Sequence, residues 1–308
     1  MRASLLPLFL LIAALYSCKK NDFDASAIRL LKTESVDSAG NVYNTTFEFD
    51  QEGRITKLSG VKNNGTPSVG LIITYSGNVA TFSDGPWSNG PLYENRIVRY
   101  QLNNDHQPIL RTEYDSFFIS PPEPPQRTIK TDSTRYEYDA AGLLKKVTGT
   151  YIDSTWTNQG FVQTSTIRST YTRDYTNSNG KLTGITTHVQ EKSITKNASY
   201  QASSSSTTEG THTFEYPHNE PHKTDFSNTW LLAELHILYE PEYPLTSSYS
   251  YFPEKVTYSE VTKDANGQII NTRSDSRTLM LDLNSFGFIS AYTPDGRAQN
   301  KVKLIYNR

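Results

Sequence analysis

The chain has 308 residues, of which 35% are hydrophobic, 12% aromatic and 20% charged, and its formal net charge is −2. A near-neutral chain has no electrostatic reason to bind nucleic acid, so we expect no nucleic-acid partner. The single cysteine excludes an intrachain disulfide and a metal cluster built from several thiolates. The 20 tyrosines and 13 phenylalanines, against 2 methionines, favour β-strands over helices.

The first segment, residues 1–17, is typical of a secretory signal peptide. Arg2 precedes a stretch without charge that extends from Leu5 to Leu15. This stretch is shorter than the roughly 20 apolar residues that a membrane-spanning helix needs. We therefore expect residues 1–17 to be removed and leave them out of the fold.

The next residues resemble the lipobox of bacterial lipoproteins, with Leu15, Ser17 and Cys18 at the matching positions. The resemblance implies cleavage before Cys18, a thioether from its thiol to a diacylated glyceride, and acylation of the new amine with a palmitate-type chain. Three acyl chains would anchor the protein firmly, since one chain alone binds a membrane only marginally. Residues 18–26 then form a lipidated tether. The alternative is a free thiol in an ordinary secreted protein.

Residues after Cys18 bear on the destination of such a lipoprotein. Lys19 differs from the aspartate that retains enteric lipoproteins at the inner membrane, and Lys19–Asp24 is similar to the Lys-plus-acidic segment of surface-exported lipoproteins. These resemblances imply an outer-membrane location. The cell surface is favoured over the periplasmic face.

A strand–turn–strand pattern recurs through residues 27–308, which we assign to a single antiparallel β domain. Copies of the pattern are found at residues 47–58, 136–147, 171–185, 261–270 and 279–289. In each turn an aspartate such as Asp139 is expected to accept backbone N–H bonds from the residues just ahead. A glycine such as Gly142 supplies a positive φ near the exit of the turn. Residues 100–110 keep this spacing, with Gln107 in place of the glycine.

Apolar residues fall three positions apart after these turns, as in Ile55 with Leu58 and Leu144 with Val147. In a flat strand, residues three apart face opposite sides of the sheet. We therefore predict that a β-bulge follows many of the turns and adds curvature to the sheet.

The spacing of the turns predicts an all-β fold. The turn glycines have no fixed period, which excludes propellers and solenoids. Long antiparallel strands from one chain indicate a curved antiparallel meander of long hairpins or a partly open barrel. We expect a stiff loop at Pro121–Pro125, a polar mobile loop at Ser203–Thr208, and one short helix near residues 229–239 that covers the sheet.

Two family resemblances follow from these motifs. The hairpin element resembles the tyrosine–aspartate repeat of Rhs-type shells, and Arg54 keeps the arginine after the glycine, whereas Leu143 does not. The lipobox, the hairpins and the late helical segment together resemble an uncharacterised family of Gram-negative outer-membrane lipoproteins with a porin-like β fold. This second resemblance covers residues 27–308 and implies a curved antiparallel sheet without an assigned reaction.

A membrane-spanning barrel is a further alternative. Such a barrel needs an outward apolar band about 25 Å tall. Polar residues occupy both faces of the predicted strand at residues 164–173, which argues against that band.

The only histidine cluster comprises His212, His218 and His222, which we consider as candidate metal ligands. Pro217 and Pro221 exclude the helical geometry that the zinc-protease motif requires. The alternative is a polar loop without metal.

Aromatic residues supply the other candidate site. Trp87 and Tyr93 fall in a predicted loop, where an exposed tryptophan could stack on a sugar ring. The alternative is a loop that folds back over the core.

Motifs for catalysis and for cofactors are missing from the sequence. It contains no Gly-x-Ser-x-Gly nucleophile motif and no phosphate-binding glycine loop, so we assign no catalytic residue and no cofactor. Carboxylate pairs such as Asp50 with Glu52, and Glu240 with Glu242, have the residue types that a glycosidase uses. Asp50, however, is already expected to build a turn.

These observations favour a lipid-anchored, non-catalytic binding or accessory module of the outer membrane or cell surface. Its partners would be the membrane, through lipidated Cys18, and a glycan, lipid or protein ligand. The alternative is a surface hydrolase that uses carboxylates or the histidine-rich loop. The sequence leaves open whether the protein is an enzyme.

Overall fold

The computed structural model describes residues 30–36, 40–84, 93–119, 126–157, 162–197, 200–216, 251, 253–285, 289–293 and 302–306. The predicted signal peptide, the tether with Cys18, the loop at Pro121–Pro125 and the helix near 229–239 lie outside these residues. In the described ranges no helix has the length and hydropathy needed to cross a membrane.

The described residues form one antiparallel sheet of 17 strands, which confirms the all-β prediction. The strands are β1 (Leu30–Val36), β2 (Val42–Phe49), β3 (Ile55–Lys62), β4 (Pro67–Ser76), β5 (Val79–Asp84), β6 (Tyr93–Leu102), β7 (Pro108–Ile119), β8 (Gln126–Tyr138), β9 (Leu144–Thr157), β10 (Val162–Ser178), β11 (Lys181–Asn197), β12 (Tyr200–Glu215), β13 (Lys255–Asp264), β14 (Ile269–Thr278), β15 (Met280–Leu283), β16 (Ile289–Thr293) and β17 (Val302–Tyr306).

The strands pair in chain order, as a meander does. Consecutive strands pair with each other from β1 through to β14. Further ladders join β15 to β16, β16 to β17, and β17 back to β1. Within the described residues no ladder joins β14 to β15, so the sheet is open between them. The chain passes from one to the other through Leu279, whose N–H donates to the carbonyl oxygen of Glu254 at 2.7 Å.

Three of the predicted turns, which begin at Asp50, Asp139 and Asp264, have the geometry that the repeated pattern predicts. The copy at residues 171–185 does not, because Asp174 lies within β10 and the turn that follows is the two-residue Asn179–Gly180 turn. Asp139 Oδ1 accepts hydrogen bonds from the backbone N–H groups of Ala141 and Leu143, both at 2.9 Å. Gly142, three residues after the aspartate, has a φ of 77°. The turns that begin at Asp50 and Asp264 repeat the two hydrogen bonds to residues i+2 and i+4.

The turn between β6 and β7 corrects one prediction. Asn103 Oδ1 accepts the same two N–H bonds, from Asp105 at 3.0 Å and Gln107 at 2.9 Å. The position equivalent to Gly142 is therefore His106 and not Gln107, and His106 has a φ of 59°. Histidine tolerates this left-handed region better than most residues with a side chain, which explains how the turn forms without glycine.

A β-bulge follows many of the turns, as predicted. In the β8–β9 hairpin Glu137 pairs with Lys146 whereas Tyr138 pairs with Leu144, so Lys145 is inserted. The same shift next to the turn is present in the β2–β3, β6–β7, β10–β11, β13–β14 and β15–β16 hairpins. Because of the bulge, Leu144 and Val147 are both buried although they lie three residues apart.

The carbonyl oxygen of the residue before each of several bulges accepts a hydrogen bond from a tyrosine that lies in the next strand or directly follows it. The hydroxyl groups of Tyr75, Tyr138 and Tyr216 donate to the carbonyl oxygens of Ile55, Pro108 and Leu182 at 3.0, 2.9 and 2.6 Å respectively. Burial raises the pKa of Tyr75 to about 12, and it also raises the pKa of Tyr138 and of Tyr216. These hydroxyls therefore remain protonated donors at neutral pH and satisfy carbonyls that the bulge removes from the ladder.

Buried apolar side chains gather on one side of the sheet, close to these turns, and we call this the core-facing side. Its members include Leu58, Val98, Tyr100, Val147, Tyr175, Ile185, Phe214 and Val256. The β-period of two places every second residue of each strand on this side.

The predicted mobile loop at Ser203–Thr208 is wrong, because these residues lie within β12. They pair with β11 on one side, and Ser206–Thr208 also pair with β13. Thr208 Oγ1 lies 2.9 Å from Thr262 Oγ1, a cross-strand hydroxyl contact of the kind that stabilises sheets. The polar composition of this segment predicted a loop, whereas its serine and threonine residues form part of a strand.

Candidate binding site on the core-facing side

Two rows of polar side chains cross strands β6 to β10 next to the apolar core. Directly opposite residues of paired strands share a face, so register defines each row. The first row consists of Tyr100, Arg111, Thr134, Gly149 and Tyr171. The second row consists of Val98, Glu113, Asp132, Tyr151 and Ser169. Both rows lie on the core-facing side, because Val98 and Tyr100 belong to the buried cluster.

Arg111 connects the two rows. Its Nε donates to the hydroxyl oxygen of Tyr100 at 3.1 Å, and its Nη1 donates to Asp132 Oδ2 at 2.6 Å. Its Nη2 donates to Glu113, whose other oxygen accepts a bond from Arg96 Nε at 2.8 Å. The Arg111 side chain is 10% exposed and those of Glu113 and Asp132 are 17% exposed. We call Arg96, Tyr100, Arg111, Glu113, Asp132, Thr134 and Tyr171 the Arg111 cluster.

Hydroxyl groups extend the cluster to β10. Thr134 Oγ1 donates to Asp132 Oδ1 at 3.1 Å and lies 2.6 Å from the hydroxyl oxygen of Tyr171. The Tyr171 ring lies directly over Gly149, where an added Cβ would come within 2.3 Å of the ring. Gly149 is therefore needed because the tyrosine occupies the space that any side chain would take.

The formal charges on this surface cancel. On the core-facing positions of β6 to β10, register places four cations, Arg96, Arg111, Lys130 and Arg173, and four anions, Glu113, Asp115, Asp132 and Asp153. The surface is therefore strongly polar without a net charge over the described parts of these strands. Such a surface has many hydrogen-bond donors and acceptors but no field that would select a charged ligand.

The surrounding charges fix the ionisation of the cluster. Burial alone would raise the pKa of Glu113, but the charge of Arg111 and the hydrogen bond from Arg96 outweigh it and lower that pKa. Burial raises the pKa of Tyr171, with a further contribution from Asp132, and burial together with Asp153 raises the pKa of Tyr151. At neutral pH the cluster therefore presents an ionised carboxylate beside neutral phenol groups.

The predicted metal site is described only in part. His212 lies in β12, is 4% exposed, and stacks on Tyr258 with 4.6 Å between ring centroids. His218 and His222 lie outside the described residues. Among the residues with described positions, no group of three or more His, Cys, Asp or Glu is placed to hold a metal ion.

The other predicted site residues are not brought together in the described structure. Tyr93 is the first residue of β6, whereas Trp87 and Cys18 lie outside the described residues. Of the proposed carboxylate pairs, Asp50 builds its turn and accepts a hydrogen bond from Arg54 Nε at 2.7 Å. Glu240 and Glu242 also lie outside the described residues.

Sequence reasoning missed the Arg111 cluster. The one local signal is the alternation of charged residues along single strands, as in Arg111, Glu113 and Asp115 on β7. This alternation predicts that one face is polar but does not show that the same face carries the core in neighbouring strands.

The sequence matches no known protein family and no curated protein. Among solved structures the chain is similar to a porin-like protein from Bacteroides vulgatus, with 13% identity and a TM-score of 0.47 over 90% of this chain and 98% of that one. It is also similar to a porin-like protein from Bacteroides uniformis, with 12% identity and a TM-score of 0.42 over 91% of this chain and 96% of that one. Both scores are below 0.5, so we take the fold from the strand pairings and infer no function from these matches.

Proposed function

We propose that the protein is a lipid-anchored, non-catalytic binding module of the outer membrane that presents the Arg111 cluster to a neutral, hydroxyl-rich ligand, a glycan. The observation that carries this proposal is the partly exposed and charge-balanced polar surface of β6 to β10. Arginine–carboxylate pairs and phenol groups held in place by a sheet offer donors and acceptors for sugar hydroxyls without a large entropic cost.

The ionisation of the cluster supports binding over hydrolysis. A glycosidase needs one carboxylic acid with a raised pKa, so that it can donate a proton to the leaving group. Glu113 has a lowered pKa and is bonded to two arginines. It is therefore suited to accept hydrogen bonds and not to donate a proton.

A calorimetric panel tests the ligand class. The purified Cys18→Ser variant, which lacks the proposed acyl chains, is titrated with neutral oligosaccharides (glucan, mannan and galactan), with anionic polygalacturonate, and with phospholipid vesicles. We expect saturable binding to at least one neutral glycan and none to the anionic polymer or the vesicles. Binding to vesicles alone, or hydrolysis of a bound glycan, would contradict the proposal.

The anchor requires a separate test, because Cys18 lies outside the described residues. We expect mass spectrometry of the membrane-extracted protein to show an acylated N-terminal cysteine at position 18. Cys18→Ser is expected to abolish acylation and release the protein from the outer-membrane fraction. An unmodified Cys18 thiol in membrane-bound protein would refute lipid anchoring.

A further inference from the structure

Strand β14 forms one edge of the open sheet. Among the described residues it pairs with β13 on one side, and no ladder covers its other side. Nine of its ten side chains are exposed, and Arg277 is half-buried. An edge strand with this exposure can pair with another strand, unless its sequence prevents pairing.

The direction of the backbone groups of β14 follows from its ladder with β13. The Leu279 N–H donates to the Glu254 oxygen, and the register continues without a shift from Thr278 to Asn271. In an antiparallel ladder hydrogen-bonded and non-hydrogen-bonded pairs alternate. The odd-numbered residues from 271 to 277 therefore bond to β13, whereas Thr272, Ser274 and Ser276 direct their N–H and C=O groups away from it.

The charges on β14 are arranged for antiparallel pairing with a second copy of the same strand. If Ser274 lies opposite Ser274 of the second copy, Arg273 lies opposite Asp275 of the second copy, and the reciprocal pair forms as well. The outward-directed Thr272 then bonds with Ser276 of the second copy. In this register, residues Ile270 to Thr278 of one copy pair with the same residues of the second copy.

The neighbouring register is disfavoured. A shift that places Ser274 opposite Ser276 would bring Asp275 against Asp275 and Arg273 against Arg277. Like charges directly opposite each other destabilise a sheet, and opposite charges stabilise it. The charge sequence of β14 thus specifies both a partner strand and a register.

We propose that two copies of this protein pair edge to edge through β14, antiparallel, around a two-fold axis at Ser274. Asp275 is then placed between Arg277 of its own chain, 2.9 Å away in the described structure, and Arg273 of the second copy. The two sheets become continuous across the axis, and the Arg111 cluster of each copy lies on other strands and remains accessible.

Disulfide trapping tests the register. Full-length protein in detergent carries Cys18→Ser, so that an introduced cysteine is its single thiol. We expect Ser274→Cys to form a covalent dimer under mild oxidation, because the two residues face each other at the axis. The matched control Ser276→Cys is expected to remain monomeric, since its two copies would be separated by on the order of 13 Å along the strands. Equal cross-linking of both variants, or none with Ser274→Cys, would overturn the proposal.

A charge swap tests, by sedimentation, whether two copies dimerise through the Arg273–Asp275 pairs. Sedimentation of the full-length protein in detergent is expected to show a dimer, and Arg273→Asp is expected to weaken dimerisation at least about tenfold. Arg273→Asp combined with Asp275→Arg restores opposite charges and is expected to restore the dimer. Unfolding midpoints of both variants are measured to confirm folding. A wild-type monomer, or a double variant that dimerises no better than the single one, would contradict the proposal.

Discussion

At the scale of single residues, two kinds of side chain define the hairpins. An Asp or Asn at the start of four of the described turns accepts the N–H bonds of residues i+2 and i+4, as Asp139 does. A tyrosine of the next strand, such as Tyr138, satisfies a carbonyl next to a bulge. Both interactions fix backbone groups that have no partner in the ladder, so both contribute to stability.

The turn position with positive φ gives a first prediction. Gly142→Ala is expected to lower the free energy of unfolding by about 1 kcal/mol, because a Cβ is unfavourable in the left-handed region. His106→Gly, at the equivalent position, is expected to raise it by a few tenths to about 1 kcal/mol. Chemical denaturation measures both. A loss of stability in His106→Gly as large as that in Gly142→Ala would contradict the equivalence of the two turns.

The bulge carbonyls give a second prediction. Tyr138→Phe removes the hydroxyl that donates to Pro108 and is expected to cost about 1–2 kcal/mol of unfolding free energy, because the buried carbonyl loses a hydrogen bond. The control Tyr114→Phe changes an exposed tyrosine and is expected to cost less than about 0.5 kcal/mol. Similar values for the two variants would show that the tyrosine bond does not stabilise the bulge.

At the scale of elements, the sequence predicts what is local and misses what depends on register. The turn at Asp139 and the bulge after it were predictable, because both lie within a dozen residues. The Arg111 cluster was not predictable, because Arg111, Asp132 and Tyr171 lie on separate strands and meet only through ladder pairing. The loop predicted at Ser203–Thr208 failed for the same reason, since pairing with β11, and at Ser206–Thr208 also with β13, outweighs polar composition.

The guanidinium group of Arg111, which donates hydrogen bonds to three side chains, gives a prediction at this scale. Arg111→Lys is expected to lower the free energy of unfolding by about 2 kcal/mol, because an ammonium cannot reach Tyr100, Glu113 and Asp132 together. The control Arg168→Lys on an exposed position of β10 is expected to stay within about 0.5 kcal/mol of wild type. A neutral effect of Arg111→Lys in thermal and chemical unfolding would indicate that the bonds to Arg111 contribute little.

At the scale of the whole molecule, one continuous sheet carries its core and its polar surface side by side on the same face. The bulges curve this sheet next to the short turns, where the apolar side chains gather. The Arg111 cluster is therefore joined to the packed core through Tyr100, a buried core residue whose hydroxyl oxygen accepts a hydrogen bond from Arg111. A cluster held in place by packed residues keeps its geometry when a ligand replaces the water around it.

The cluster makes the stability of the molecule depend on pH. The pKa of Glu113 is lower in the folded protein than in the unfolded chain, so its ionisation stabilises the fold above the unfolded pKa of about 4.3. This contribution is lost as the pH falls through the folded pKa. Denaturant unfolding from pH 7 to pH 3 is expected to show a steeper loss of stability in wild type than in Glu113→Gln. Parallel curves would contradict the assigned role of Glu113.

The most direct measurement of the central claim compares Arg96→Ala with Arg99→Ala in binding the neutral glycan that the calorimetric panel identifies. Both arginines lie on β6, but Arg96 belongs to the Arg111 cluster and Arg99 is exposed on the opposite side of the sheet. The predicted result is an affinity about tenfold weaker for Arg96→Ala, through loss of one charged hydrogen-bond donor, and an unchanged affinity for Arg99→Ala. Equal affinities for the two variants, or a loss confined to Arg99→Ala, would contradict a glycan site on the core-facing side.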